Sequence, residues 1–259
     1  MTAIIENALA AVRKVHHIVE SNARNAPRTL QKRIGPSELG VDCDRCLVNK
    51  LAGTPTVGDD APWLPWVGTA VHAAIEDAVM RSMLAEQKAG LSDMDEWIVE
   101  GELTVGEVDG EPITGHADLF HVPTGTVIDH KIVGSTTLRK VGARGHGTSL
   151  TYQRQAHLYG RGYTLAGHTV RAVVIDFYPR NGMSLATGRQ FIAPYDEQVA
   201  LDALERANRF ASWIRLFGAE QVLAGCPPHT GHEFSCSRYA DAAQVATSAH
   251  GPADFLGVA

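Results

Sequence analysis

The sequence predicts an α/β fold, a central mixed β-sheet flanked by helices, and three observations lead there. Residues 116–122 and 126–133 are short runs rich in Val, Ile, Leu and Phe, and Pro123-Thr124-Gly125 between them supplies turn residues, so the pair reads as a tight β-hairpin. Helical apolar spacing recurs before and after that hairpin, over 69–87 and 149–166. Two more strand-like runs follow, 171–178 and 184–192, before a further long helix. Helix, hairpin-bearing sheet, helix, strand, helix is an order that mixes strand directions.

Taken in order, residues 3–20 read as a helix of mixed character that leads to a basic segment with Arg24, Arg28, Lys32 and Arg33. Gly35-Pro36-Ser37 breaks the chain, and Ser37 with Glu38 opens a short helix that carries Leu39 toward Cys43 and Cys46. The Gly, Pro and Asp content of 53–66 predicts a loop, with Trp63 and Trp66 capping something apolar. Over Thr69 to Gln87 the spacing places His72 and Glu76 one turn apart on the same helix face. Strands are expected over 97–106, 113–122 and 126–133, then a Gly-, Thr- and Arg-rich mobile loop over 134–148. The helix over 149–166 carries Tyr152, Gln155 and Tyr159, and Pro194-Tyr195-Asp196 introduces the last long helix, 196–217. Residues 1–34 thus form an N-terminal helical and basic segment, 35–240 one domain, and 241–259 an Ala/Gly-rich flexible tail.

At 259 residues and 44% hydrophobic content the chain can bury a substantial core. A net charge of −6 and a pI near 6.0 exclude a generally basic nucleic-acid glue. Charge is unevenly spread, however. No acidic residue lies between Asp129 and Asp176, while Lys131, Arg139, Lys140, Arg144, Arg154, Arg161 and Arg171 do. Such a strip suits a polyanion, and it equally suits ordinary surface charge. No apolar run approaches a membrane span and no signal-peptide core is present, so a cytoplasmic protein without membrane partners is expected. In that reducing compartment four cysteines are expected to be buried thiols or metal ligands, not disulfides.

Asp118, Asp129 and Lys131 are the residues with the sharpest chemistry. Folding the hairpin at Thr124 brings Asp118 level with Asp129, and alternation puts Asp129 and Lys131 on one face with Ile128, His130 and Ile132 on the other. Two carboxylates beside a lysine are costly to bury unless a cation compensates them. Mg²⁺ or Mn²⁺, which take oxygen ligands, would do so, and a solvated surface ion pair is the competing explanation. Cys43 and Cys46 have the C-x-x-C spacing that lets two thiolates reach one metal centre, and Cys226 and Cys236 lie at the far end of the domain. Four thiolates suit a 4Fe–4S cluster. Zn²⁺ is the alternative, because His229 and His232 between the last two cysteines offer further ligands.

Gly115-His116-Ala117-Asp118 followed by Asp129-His130-Lys131 resembles the core of the PD-(D/E)XK nuclease superfamily. More narrowly it is similar to the RecB-like and CRISPR-associated exonuclease branch, which includes phage-encoded members. Three further segments share that resemblance in the same order: Gly68-Thr69-Ala70-Val71-His72, Gly35-Pro36-Ser37-Glu38-Leu39 leading to Cys43-Asp44-Arg45-Cys46, and Tyr152-Gln153-Arg154-Gln155-Ala156-His157-Leu158-Tyr159. The resemblance implies a restriction-endonuclease-like core whose termini are joined by a cysteine-bound metal centre. It implies His72, Asp118, Asp129 and the backbone carbonyl of His130 as metal ligands, Lys131 as the catalytic lysine, and Gln155 and Tyr159 as residues that position substrate or the lysine. It further implies a 4Fe–4S cluster on Cys43, Cys46, Cys226 and Cys236, although the family's commonest arrangement is one N-terminal and three C-terminal cysteines where this chain has two and two.

The expected activity is a Mg²⁺- or Mn²⁺-dependent DNA exonuclease acting on single-stranded ends, in recombination, repair or replication, in a bacterial or phage-infected cell. A helicase or recombinase partner, or a second copy of the chain, is open. A non-catalytic DNA-binding or assembly subunit and an endonuclease of the same superfamily are the alternatives. The rings of His116 and His130 are read as structural and Glu76 as a solvated helix-face glutamate. Glu100 and Glu102 lie on the preceding strand, from which one could face the pocket, and neither is assigned a role.

Overall fold

The computed structural model describes residues 2–25, 34–56, 63–91, 96–227 and 236–239. The tail expected over 241–259, the basic residues Arg28, Lys32 and Arg33, and His229 and His232 lie outside them. Five strands form one sheet in the order β1 (Trp97–Val108), β2 (Glu111–His121), β3 (Thr126–Val133), β4 (Ala172–Pro179), β5 (Arg189–Pro194). All neighbours are antiparallel except β3 and β4, which run parallel from Thr126↔Ala172 to Val133↔Pro179. That single parallel step makes the sheet mixed, as predicted, and it requires a crossover.

The turns explain the register. Asp109-Gly110 between β1 and β2 has positive φ at both residues, 53° and 79°, the type I′ geometry whose twist matches paired strands. Gly125 closes the β2–β3 turn at φ 62° with its N–H donating to Val122 O at 3.1 Å, and a side chain there would run into the Thr169 carbonyl.

Eight helices accompany the sheet among the described residues: α1 (Thr2–Arg24), α2 (Pro36–Leu39), α3 (Asp44–Leu51), α4 (Trp63–Lys88), α5 (Ser135–Val141), α6 (Leu150–Leu165), α7 (Glu197–Phe217) and α8 (Ala219–Ala224). The crossover consists of α5 and α6. Ser149 caps α6 by accepting from Tyr152 N, and Asp196 caps α7 by accepting from Gln198 N. Helix α6 lies across β1, β3 and β4, α7 packs on α6 and β1, and α4 reaches β1 and β3. Gly162 lets α6 sit close to the sheet, since a Cβ there would stand 2.8 Å from that of Leu103. The core runs from Leu39, Leu47 and Val48 through Val105, Phe120 and Val127 to Ile175, Phe177 and Ala207. Among the described residues no helix is long and apolar enough to cross a membrane.

Four expectations change. The strand predicted for 184–192 begins only at Arg189, because the Ser184 side chain accepts from Ala186 N and opens a 3₁₀ turn over Leu185–Thr187. The loop predicted for 134–148 begins with α5, because Leu138 and Val141, three residues apart, turn inward and pack on the core. Helix α4 starts at Trp63 inside the loop predicted for 53–66, since Pro65 falls in the first turn, where its missing N–H costs no hydrogen bond. Trp63 and Trp66 do not cap an apolar surface. They stack on each other with centroids 5.4 Å apart and remain exposed.

Candidate functional site

The site forms where two strand pairings open. Between β1 and β2, Val99 pairs with Leu119 and Gly101 with Ala117, while Glu100 and Asp118, which face each other between those pairs, do not pair. Glu100 has φ 47°, a left-handed conformation that a residue with a side chain adopts only at a cost of about 1–3 kcal/mol. Between β2 and β3 the pairing ends at Leu119↔Ile128, one step short of Asp118 and Asp129. The Asp118 side chain takes over there, its Oδ2 accepting the His130 backbone N–H at 2.6 Å. Asp118 Oδ1 lies 3.2 Å from His72 Nδ1 on α4. One donor atom each from His72, Glu100 and Asp118 falls within 4.8 Å of the others.

Asp129 and Lys131 share one face of β3, as alternation predicts, with Lys131 Nζ 2.8 Å from Asp129 Oδ2. The fully buried oxygen has this ion-pair contact and, among the described residues, no other polar partner. The Tyr152 ring of α6 lies under the ammonium, its centroid 5.1 Å from Nζ. On the opposite face the buried His130 ring meets Tyr178 edge-on at 5.1 Å and His72 at 6.0 Å, and neither ring nitrogen has a hydrogen-bond partner among the described residues.

The carboxylates differ in their titration. Burial pushes the Asp129 carboxyl up to about 6, and the Asp118 charge adds to that push while Lys131 opposes it. Burial also acts to raise Asp118, but the His72 hydrogen bond and charge, the His130 N–H and Lys131 outweigh it and hold this carboxyl below its ordinary value. Glu100 is raised by burial and then by repulsion from Asp118 and Glu76. Burial lowers His130, which favours its neutral form. The cluster therefore carries mutual acid repulsion that a divalent cation would relieve. One imidazole and two carboxylates, with a third carboxylate oxygen still open beside them, form a hard donor set that fits Mg²⁺ or Mn²⁺.

Of the residues named from the sequence, the structure brings His72 and Asp118 together and sets Asp129, Lys131 and the His130 backbone beside them. Glu100 joins the donors in its place on β1, although nothing in strand alternation singles it out from Glu102. Gln155 and Tyr159 are buried in α6, where Gln155 Nε2 donates to Tyr159 Oη at 3.4 Å, and the aromatic contact to Lys131 comes instead from Tyr152, one turn earlier. Two arginines of the acid-free strip are paired internally, Arg154 with Asp42 and Arg161 with Glu197. Arg139, which donates to Thr136 Oγ1, and Arg189, which donates to the Thr187 and Gly188 carbonyls, line a cleft of about 260 Å³ with Ser135, Asn181 and Thr187 just past the end of β3, and among the described residues no carboxylate lines it.

The cysteines form a second cluster. Cys43 begins α3 and Cys46 lies in its first turn, which places both thiols toward Cys236, with Sγ–Sγ distances of 3.5 Å and 3.7 Å to it. All three are buried, and the half-buried Val41 and Tyr239 pack against them. Cys226 at the end of α8 is also buried but lies outside that trio. The Arg45 guanidinium donates to the Leu223 and Cys226 carbonyls at 3.0 Å and 3.2 Å and ties this segment to α3. In a 4Fe–4S cluster each thiolate caps a different iron and points away from the centre, so thiols already in van der Waals contact do not fit around one.

No protein-family model matches the chain, and no curated protein shows significant similarity to it. Among solved structures it is similar to an alkaline exonuclease of Laribacter hongkongensis, LHK-Exo (10% identity, 75% of this chain and 93% of that one, TM-score 0.44). It is also similar to a phage-related exonuclease from Haemophilus somnus 129PT (14% identity, 61% of this chain and 73% of that one, TM-score 0.38) and to the protein SSO0001 (14% identity, 76% and 87%, TM-score 0.43). At these identities and TM-scores, none of the likenesses assigns a family or an activity to the chain.

Proposed function

We propose that this protein is a metal-dependent DNA nuclease that hydrolyses phosphodiester bonds, and that it works as an exonuclease on single-stranded ends. The observation that carries the reading is the convergence of His72, Glu100 and Asp118 within 4.8 Å, beside a buried Asp129–Lys131 pair. The motif resemblance of residues 115–118, 129–131 and 152–159 supports the finer part, the choice of DNA ends and a place in recombination, repair or replication.

When bound, Mg²⁺ or Mn²⁺ would polarise a phosphoryl oxygen and make water a better nucleophile. His72, Glu100 and Asp118 would hold it, with Asp129 and the His130 carbonyl close by. Lys131 presents a fixed ammonium that can stabilise charge gathering on a phosphate oxygen, and Asp129 and the Tyr152 ring restrict where that ammonium points. Asp129, pushed up to about 6, is an acceptor for a proton released from the attacking water. The Arg139–Arg189 cleft beyond the end of β3 offers donors to a neighbouring phosphodiester of the same strand.

End-labelled single- and double-stranded DNA, linear and circular, incubated with Mg²⁺ or Mn²⁺, tests this directly. Shortening of linear single strands with circles untouched is the expected result. Cleavage of circles would replace the exonuclease reading with an endonuclease. DNA bound but left whole under both metals would make the chain a non-catalytic binder.

A further inference from the structure

We propose that the cysteine cluster is a mononuclear zinc–thiolate site, formed by Cys43, Cys46, Cys236 and Cys226, and not an iron–sulfur centre. Four thiolates at Zn–S bonds of about 2.3 Å sit at the corners of a tetrahedron whose edge is about 3.8 Å. The observed Sγ–Sγ distances, 3.5 Å and 3.7 Å, are close to that edge, so the three thiols already occupy three corners around a space the size of one ion. The C-x-x-C turn at the start of α3 presents two of them from one element, and Cys236 brings the third from the far end of the chain.

Cys226 is the fourth donor. Its thiol is buried at the end of α8 outside the trio, and Arg45, the residue between Asp44 and Cys46, donates to its carbonyl and ties it to α3. Four thiolates around Zn²⁺ leave a net dianion, which a buried setting disfavours unless cations stand by. Arg45 and Arg206 act on Cys226 against burial and the Asp44 charge, and Arg206 is itself anchored to Asp44 and to the Val41 carbonyl. Zinc here would join the segment at residue 236 to α3 and α8, a closed structural role with no place for substrate.

The test uses the full chain, purified without oxygen from iron-supplemented cells. Elemental analysis should return one zinc per chain and a spectrum without visible absorbance. Replacing the zinc with Co²⁺ should give the strong visible bands of a tetrahedral cobalt–thiolate centre. Cys226→Ser should shift those bands and weaken zinc binding about tenfold or more, whereas His229→Ala and His232→Ala should leave both unchanged. Iron and acid-labile sulfide in equal amounts, with broad absorbance from sulfur-to-iron charge transfer, would overturn the proposal. So would metal-free protein with four freely titrating thiols. Should the serine variant not fold, the metal content and cobalt spectrum of the unaltered chain decide alone. Asp118→Asn should leave the zinc content as it is, so this result and the nuclease assay can fail separately.

Discussion

The two donor clusters of this molecule are both assembled from distant stretches of chain, yet they differ in donor chemistry and in exposure. His72, Glu100 and Asp118 offer nitrogen and oxygen, and the His72 and Asp118 side chains keep 17% and 13% of their surface exposed. Cys43 and Cys46 offer sulfur and keep 1% and 4%. Around the first cluster the strands come apart, a backbone angle is strained and buried acceptors stay open. Around the second, Arg45 donates to the Leu223 and Cys226 carbonyls and Arg206 to that of Asp42. A catalytic centre needs access and an unsatisfied coordination position, while a structural one needs neither. The contrast can be broken by experiment in a definite order of effect.

The largest effect belongs to the open cluster. Asp118→Asn keeps the side-chain shape and its bond to the His130 N–H in altered form, but removes the charge that pairs with His72 and a cation. Cleavage of labelled DNA should fall by about 10²–10³-fold, in the range seen when one preorganised electrostatic group is lost, with the melting temperature within a few degrees of the parent. Full activity in this variant would show that the cluster is not the catalytic centre. Lys131→Met is expected to be equally inactive and also less stable, because it leaves Asp129 buried without its partner.

The closed cluster should show the reverse pattern. Cys43→Ser removes one thiol from a buried trio, and an expected cost of about 3 kcal/mol corresponds to a melting temperature lower by roughly 10 °C in a chain of this size. EDTA in modest excess should stop cleavage without moving the melting temperature, and only a chelator strong enough to strip thiolate-bound metal should lower it. A single chelator concentration at which both change together would erase the distinction between the two clusters.

Much of this was legible in the sequence, and the missing parts share a physical reason. Period-two alternation and the turn at Pro123-Thr124-Gly125 locate β2 and β3 to within two residues and put Asp129 and Lys131 on one face. Alternation is a property of regular strands, however, and Glu100 acts at a point where β1 is irregular, with φ 47° and no partner across the sheet. Helical spacing places Tyr152, Gln155 and Tyr159 near one face of α6, but only depth in the fold separates the ring that meets Lys131 from the pair that closes on itself. Likewise C-x-x-C puts two thiols within reach of one centre and does not say how closely Cys236 approaches them from the other end of the chain.

Glu100→Gln measures how far the irregularity matters. If its carboxylate completes the donor set, the variant should need about tenfold or more Mn²⁺ for half-maximal cleavage, with kcat at saturating metal much less affected, a size typical of changes at or beside metal ligands. An unchanged metal requirement would reduce the open cluster to His72, Asp118 and Asp129. The zinc content should not move in either case.

Acid offers the finest separation of the two regions, because protons act on both and on one group that belongs to neither. Buried His157 on α6 accepts the Asp196 N–H at 3.2 Å through Nδ1, which requires the neutral ring, and burial holds it below its ordinary value of 6.5. The unfolded chain therefore takes up a proton from about pH 6.5 downward while the folded chain resists it. Stability from this group is complete above 6.5 and is lost as pH falls through the lowered folded value. Protons would also compete with a zinc ion held by the Cys43, Cys46 and Cys236 thiolates. In His157→Gln the first contribution disappears, at a cost of about 1 kcal/mol at neutral pH for the weakened hydrogen bond, or roughly 2–4 °C. Its melting temperature should fall less steeply than the parent's just below pH 6.5, and the drop that remains at lower pH should coincide with release of metal from the thiols. Parallel curves for the two proteins down to the pH of metal release would leave His157 without a part in acid stability and assign the whole acid limb to the closed cluster.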